Sequence, residues 1–192
     1  MFRKTLAAIV LCFIAAPLWA SGSDVPRDVR ERALKIAAGL EKLEKDAARR
    51  PSSPPPSAEV SEADLNAWIA WRVAAEMGKF VKSIELRLLD DNRMEGKIAL
   101  DLADSPVSML LPAGADFYFA GAGESREGKI RLTMNSLYLG SQRLAPAFID
   151  TVISVVAGLQ GQKATSLNDW YPLPYGIKRL ESRRGRLICH YR

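Results

Sequence analysis

Ile84-Glu85-Leu86-Arg87-Leu88-Leu89-Asp90-Asp91-Asn92-Arg93-Met94-Glu95-Gly96-Lys97-Ile98-Ala99-Leu100-Asp101-Leu102 is the stretch that decides the fold. Ile84, Leu86 and Leu88 alternate with Glu85 and Arg87; beyond the Asp90-Asp91-Asn92 cluster, Met94, Gly96, Ile98, Leu100 and Leu102 alternate with Glu95, Lys97 and Asp101. A period of two sends alternate side chains to opposite faces of a strand, and Asp and Asn tolerate the backbone of a tight turn. The stretch is therefore an antiparallel hairpin with one dry and one wet face.

Upstream the period becomes helical. Ser61-Glu62-Ala63-Asp64 has capping-box-like spacing, in which the serine oxygen accepts an orphan backbone N–H. Leu65, Trp68, Ile69, Trp71, Val73 and Met77 follow, and Gly78 can close the helix. Arg72 and Glu76 form a thin polar strip on a helix that is otherwise mostly apolar, so other structure must enclose it. Before this helix, the Pro/Ser-rich residues 51–58 read as an extended linker, because proline cannot continue a helix. The main domain is then expected over 59–192, with a separate N-terminal segment over 21–50. Within that segment, residues 24–50 predict an amphipathic helix whose stripe is Val29, Ala33, Ile36, Leu40, Leu43 and Ala47. The stripe suits docking on the domain; its narrowness leaves open an unknown protein partner for residues 24–50.

Downstream, Phe117 and Phe119 flank Tyr118 in a strand expected to end at Gly121-Ala122-Gly123. Ile130, Leu132 and Met134 alternate with Lys129, Arg131 and Thr133 in the next. The apolar parity flips at Asn135-Ser136, since Leu137 and Leu139 are odd-numbered, and this predicts a bulge or bend. Residues 146–160 mix β-branched residues with Phe148, Val152, Val155 and Leu159 at helical spacing; Pro146 at the start favours a helix. Strands are expected at 176–182 and 186–191 about Arg184-Gly185. The predicted fold class is α+β: a curved antiparallel sheet wrapped on a long helix, with a second helix and the separate N-terminal one.

Residues 1–20 carry a positive start (Arg3-Lys4), an apolar run from Leu6 to Leu18, and a small-residue site at Ala20, the layout of a cleaved secretory signal peptide. Export to the periplasm or beyond is the expected localisation. Without those residues the chain keeps 25 basic and 22 acidic side chains, a formal +3, too small a surplus to suggest nucleic acid. Cys12 leaves too, so Cys189 stands alone and no intramolecular disulfide can staple the fold.

Catalytic motifs fail on inspection. Gly121-Ala122-Gly123 lacks the third glycine and the helix that a dinucleotide loop needs, and Glu127 stands where a nucleophile elbow after Ser125 needs glycine. The single histidine, His190, lies near the C-terminus, and nothing suggests that Asp101 and Asp104 differ in pKa as an acid–base pair would. Neither an enzyme nor a metal or other cofactor is expected.

Two features remain. The apolar inventory is large for the sheet, and a cavity for an acyl chain is predicted from Trp68, Trp71, Ile84, Leu86, Ile98, Phe117, Phe119 and Met134. The same residues would equally make an ordinary helix-on-sheet core, and alternation does not separate the two. The second feature is the C-terminal hairpin, where Lys178, Arg179, Arg183, Arg184, Arg186 and Arg192 against Glu181 give +5. Lys178, Arg183, Arg184 and Arg186 would meet an anionic membrane surface or head group. Charge that protects a strand edge is the competing account.

The Ser61-Glu62-Ala63-Asp64-Leu65-Asn66-Ala67 opening, the amphipathic strand pair, and the closing Leu173-Pro174-Tyr175-Gly176-Ile177 with a final hairpin resemble bacterial envelope proteins of the LmeA type, which are similar to single modules of the tubular lipid-binding superfamily. The resemblance covers residues 59–192. It implies a helix laid in a strongly curved sheet, a phospholipid held between them, and no catalysis. The expectation is thus an exported envelope protein that binds an acyl-chain lipid, for transfer or membrane homeostasis. The alternative is a non-enzymatic periplasmic interaction module with a filled core.

Overall fold

Side-chain alternation builds most of the strands seen in the computed structural model, which describes residues 25–49, 57–76, 81–101, 103, 114–159 and 165–191. The predicted signal peptide, the proline run 51–56, and Met77, Gly78, Phe80 and Asp104 lie outside the described residues. In chain order the elements are α1 (Arg27–Arg49), β1 (Ser57–Ser61), α2 (Glu62–Glu76), β2 (Val81–Leu88), β3 (Arg93–Asp101) and β4 (Gly114–Arg126). There follow β5 (Lys129–Leu139), β6 (Gln142–Leu144), α3 (Phe148–Leu159), β7 (Tyr171–Pro172), β8 (Arg179–Arg183) and β9 (Arg186–His190). The fold is α+β, with a strongly curled antiparallel sheet that forms a half-barrel.

The deciding stretch is the β2–β3 hairpin, with Leu88 opposite Met94 and Ile84 opposite Ile98. Its turn holds Asp91 and Asn92 at φ of 60° and 57°, the left-handed pair that a two-residue hairpin requires. The large sheet runs β2-β3-β4-β5-β6, with β7 also on β5. The expected bulge is present: Ala120 pairs with Ser136 and Gly121 with Met134, leaving Asn135 as the extra residue. A second sheet, β1-β9-β8, is separate in its ladder.

Three boundaries differ from the sequence reading. Ser57 and Ala58, assigned to the linker, begin β1 and pair with His190 and Cys189. The strand expected to stop at Gly121 continues to Arg126, because Gly121 lets the β5 backbone come close: a Cβ there would sit 2.6 Å from the Thr133 carbonyl oxygen. The strand expected from 176 starts at Arg179, since Tyr175 and Gly176 both take positive φ and turn the chain.

Helix α2 is the enclosed one. The backbone N–H of Asp64 donates to the Ser61 hydroxyl at 3.1 Å, the predicted cap. Leu65, Trp68, Ile69, Trp71 and Val73 are all buried, and even Arg72 is covered, with its guanidinium over the Trp68 ring. Helix α1 lays its stripe on the domain: Ala33 and Ala37 are buried, while Ile36, Leu40 and Leu43 pack partly against the core. Alanine at the centre of the stripe allows close approach of the backbones. Arg32 pairs with Asp64 across the two helices at 3.6 Å.

At its outer edge β2 is met by side chains rather than by a strand. The Asn66 amide donates to the Leu86 carbonyl and accepts from the Leu86 N–H, both at 2.7 Å. One helical turn earlier, Glu62 accepts from the Leu88 N–H at 2.6 Å. Residues four apart share a helix face, so α2 presents both side chains to one strand.

Candidate functional site

From Phe117 onward the inward residues of β4 shrink: Phe117 and Phe119, then Gly121, Gly123 and Ser125. Where they become small, the concave face of the sheet is not filled. An apolar cavity lies there, walled by Leu86 and Leu88 of β2, Met94, Ile130 and Leu132 of β3 and β5, Leu65 of α2, and Leu180 and Leu187 of the small sheet. The space between these walls, counted out through the mouth into solvent, is about 490 Å3.

Asn92, Gly123, Ser125, Leu180 and Ser182 also border a polar trough of about 1350 Å3 above the cavity. Its rim carries Asp90, Asp91, Glu124 and Glu181 against Arg179 and Arg183. Arg183 donates to Glu181 at 2.8 Å and holds that carboxyl below its usual range. The floor is stitched across the two sheets by side chains. The Ser125 hydroxyl donates to the Leu180 carbonyl and accepts from the Leu180 N–H, each at 2.8 Å. Asn92 Oδ1 accepts from the Ser182 N–H at 2.8 Å, and the buried Ser182 hydroxyl donates to the Leu89 carbonyl at 2.9 Å. The polar groups at the mouth are therefore satisfied, and the wall below them is greasy.

Two smaller clefts share walls with this cavity. One, beneath α1, is bounded by Leu65, Leu180 and Leu187 on one side and Ile36, Leu40 and Trp68 on the other. The second shares Met94 and Leu132 and reaches Phe119 and Met134.

The eight predicted lining residues are thus divided. Leu86 walls the main cavity, Phe119 and Met134 the second cleft, and Trp68 the cleft under α1. Trp71, Ile84, Ile98 and Phe117 are buried in continuous packing and border none of these spaces. The predicted head-group residues also part company. Arg183 stands in the trough, whereas Arg184 pairs with Asp90 at 3.6 Å and Arg186 with Glu59 at 3.3 Å. Lys178 lies outside the trough, beside the β4–β5 turn, where its carbonyl accepts from the Gly128 N–H at 2.9 Å. The sequence reading missed Leu65, Leu88, Met94, Gly123, Ile130, Leu132, Leu180 and Leu187, and the polar trio Asn92, Ser125 and Ser182. The shrinking inward series on β4 was the available signal.

Cys189 lies under the small sheet, 2% exposed, and burial pushes its thiol from an ordinary 9.0 to about 12. A buried thiol that stays neutral is inert. We expect no reaction with an aromatic disulfide reagent at pH 8 in the folded protein and prompt reaction in denaturant. Burial also raises Tyr171, Tyr175 and Tyr191. All four groups ionise more readily once unfolded, so the stability they contribute is full below pH 9 and is lost as pH rises towards 12. A denaturation series across that range checks the slope; a flat profile would contradict it.

Among the described residues no three His, Cys, Asp or Glu side chains gather to hold a metal ion, and no helix is long and apolar enough to cross a membrane. No family model, no curated protein and no solved structure matches the chain, so its function rests on the cavity and trough themselves.

Proposed function

We propose that the protein is an exported, non-enzymatic binder of an acyl-chain lipid, with the chain in the apolar cavity and the head group in the trough. One observation carries this reading: five residues form both the mouth of the apolar cavity and the floor of the charged trough. A site that is apolar below and charged above matches an amphiphile end to end. Each methylene buried would contribute about 0.8 kcal/mol, so a chain of six or so carbons in the cavity would contribute about 5 kcal/mol, a dissociation constant of a few tenths of a millimolar before ordering costs. Rotation of Leu65, Leu180 and Leu187, which partition the cavity from the cleft under α1, would lengthen the seat for a longer chain. On the rim of the trough Arg179 and Arg183, both paired with Glu181, stand among four carboxylates, so the rim suits a head group that carries a positive as well as a negative charge. This agrees with what the resemblance to LmeA-type proteins implies, a phospholipid held without catalysis in the cell envelope.

Gly123 provides the test. A Cβ there would point into the cavity in ordinary contact, 3.4 Å from Met94 Cε and 3.6 Å from Leu132 Cδ2. Gly123→Leu should therefore fill the cavity without straining the backbone. Native mass spectrometry of the protein purified without detergent is expected to show an adduct of lipid mass in the wild type. The adduct should fall at least tenfold in Gly123→Leu, at similar thermal stability. A wild type that stays clean after incubation with vesicles, or an adduct equally abundant in the variant, would sink the reading.

A further inference from the structure

We propose that the surface around Trp170 is a docking face for an anionic lipid bilayer. Trp170 precedes the short strand β7 and lies half-buried on the outer side of the β4–β5 hairpin. Two guanidinium groups stand over its ring, Arg126 at 4.4 Å and Arg131 at 4.9 Å from the ring centre. Lys129 is directly opposite Arg126 in the ladder, and Lys178 is beside the turn, its Cδ 3.9 Å from where a Cβ on Gly128 would be. These four cations share the hairpin end with two carboxylates: Glu124, which pairs with Arg131, and Glu127 of the turn. Asp169, next to Trp170 in the chain, adds a third carboxylate, so a formal surplus of one positive charge remains around an amphipathic ring.

A membrane interface matches that combination. Tryptophan favours the boundary between head groups and acyl chains, and lysine and arginine beside it keep their charge among the phosphates. A nucleic-acid base fits less well: to stack on Trp170 it must displace a guanidinium already over the ring, whereas a bilayer takes ring and cations together. The basic hairpin behaves differently. Arg183, Arg184 and Arg186 each meet a carboxylate, from Glu181, Asp90 and Glu59 respectively. The patch also adjoins the trough, because Glu124 both pairs with Arg131 and lines the rim, so docking here brings the mouth of the trough towards the head groups. This inference concerns a different surface from the cavity and stands whether or not the cavity takes a chain.

The test is co-sedimentation of the full chain with phosphatidylcholine vesicles, with and without phosphatidylglycerol. Comparison is between variants, so residues 1–20 contribute equally throughout. The wild type is expected to favour the anionic vesicles and to lose that preference as salt rises. Arg126→Ala/Lys129→Ala removes two exposed cations and should weaken anionic-vesicle binding roughly 25-fold, about fivefold per cation. Trp170→Ala should weaken binding to both vesicle types, and Arg184→Ala/Arg186→Ala should leave it within about twofold, with thermal melts confirming that each variant is folded. The inference is overturned if the Arg126/Lys129 variant binds like the wild type, if the hairpin variant takes the loss instead, or if the wild type does not distinguish the vesicles. Duplex DNA that competes with equal affinity and the same Arg126/Lys129 dependence would also overturn it, in favour of a polyanion site.

Discussion

Truncation of Phe117 to alanine is expected to cost about 3–5 kcal/mol of folding stability. The ring is 1% exposed and lies between Ile98 and Leu139 on the neighbouring strands, in the part of the sheet where the inward side chains are largest. Removing it leaves a hole that β-strands, tied by their ladders on both sides, cannot collapse to fill. Domains of this kind have about 5–15 kcal/mol to lose, so the variant should sit close to its unfolding threshold at body temperature. Guanidinium denaturation would show the loss as a lower midpoint at unchanged slope. Phe117 also distinguishes core from cavity. A loss below about 1 kcal/mol would mean that the ring borders space rather than packed neighbours, and would return it to the lining of the lipid site.

Replacement of Asn66 by leucine should cost about 2–6 kcal/mol, from two backbone groups of Leu86 left without partners at about 1–3 kcal/mol each. Leucine has nearly the same shape and cannot bond either group. The loss is compounded by position, because β2 is the outer strand of the large sheet on that side. A bare edge presents its N–H and C=O groups to any other strand, so size-exclusion chromatography should also show self-association. Asn168→Leu, at an exposed loop asparagine, is the control and should stay within about 0.5 kcal/mol. Equal stability for the two variants would show that water satisfies Leu86 as well as Asn66 does.

The hairpin at residues 84–102 was legible because a two-residue period, broken once by a cluster of turn formers and then resumed, fits two paired strands and little else. The bulge at Asn135 was legible for the same reason: a parity flip within a paired strand requires an extra residue. Helix α2 announced its burial through its apolar circumference. Strand β1 announced nothing, since Ser57-Ala58-Glu59-Val60-Ser61 buries only Val60 and exists as a strand because β9, from the far end of the chain, pairs with it. The site was legible only in kind. Alternation tells which side chains face inward, but not whether the inside is full. The cavity opens where Gly123 and Ser125 of one sheet meet Leu180 and Ser182 of the other, a juxtaposition no local window contains. Counting charges within the last fifteen residues likewise found the arginines and missed Asp90 and Glu59, which reach them from the β2–β3 turn and from β1.

The order of the small sheet, β1-β9-β8, sets when the molecule can finish folding. β1 and β8 each pair with β9 and not with one another, so neither has a strand partner until Arg186–His190 exists. The large sheet is different: β2 to β6 pair with their sequence neighbours and can close as short-range hairpins while synthesis continues at about 5–20 residues per second. Pairings of long sequence separation form late and slowly. Leu187, which closes the cavity wall, sits in β9, so a chain in which Arg186–His190 has not yet paired carries an open half-barrel, and the pairing of β9 ties it shut.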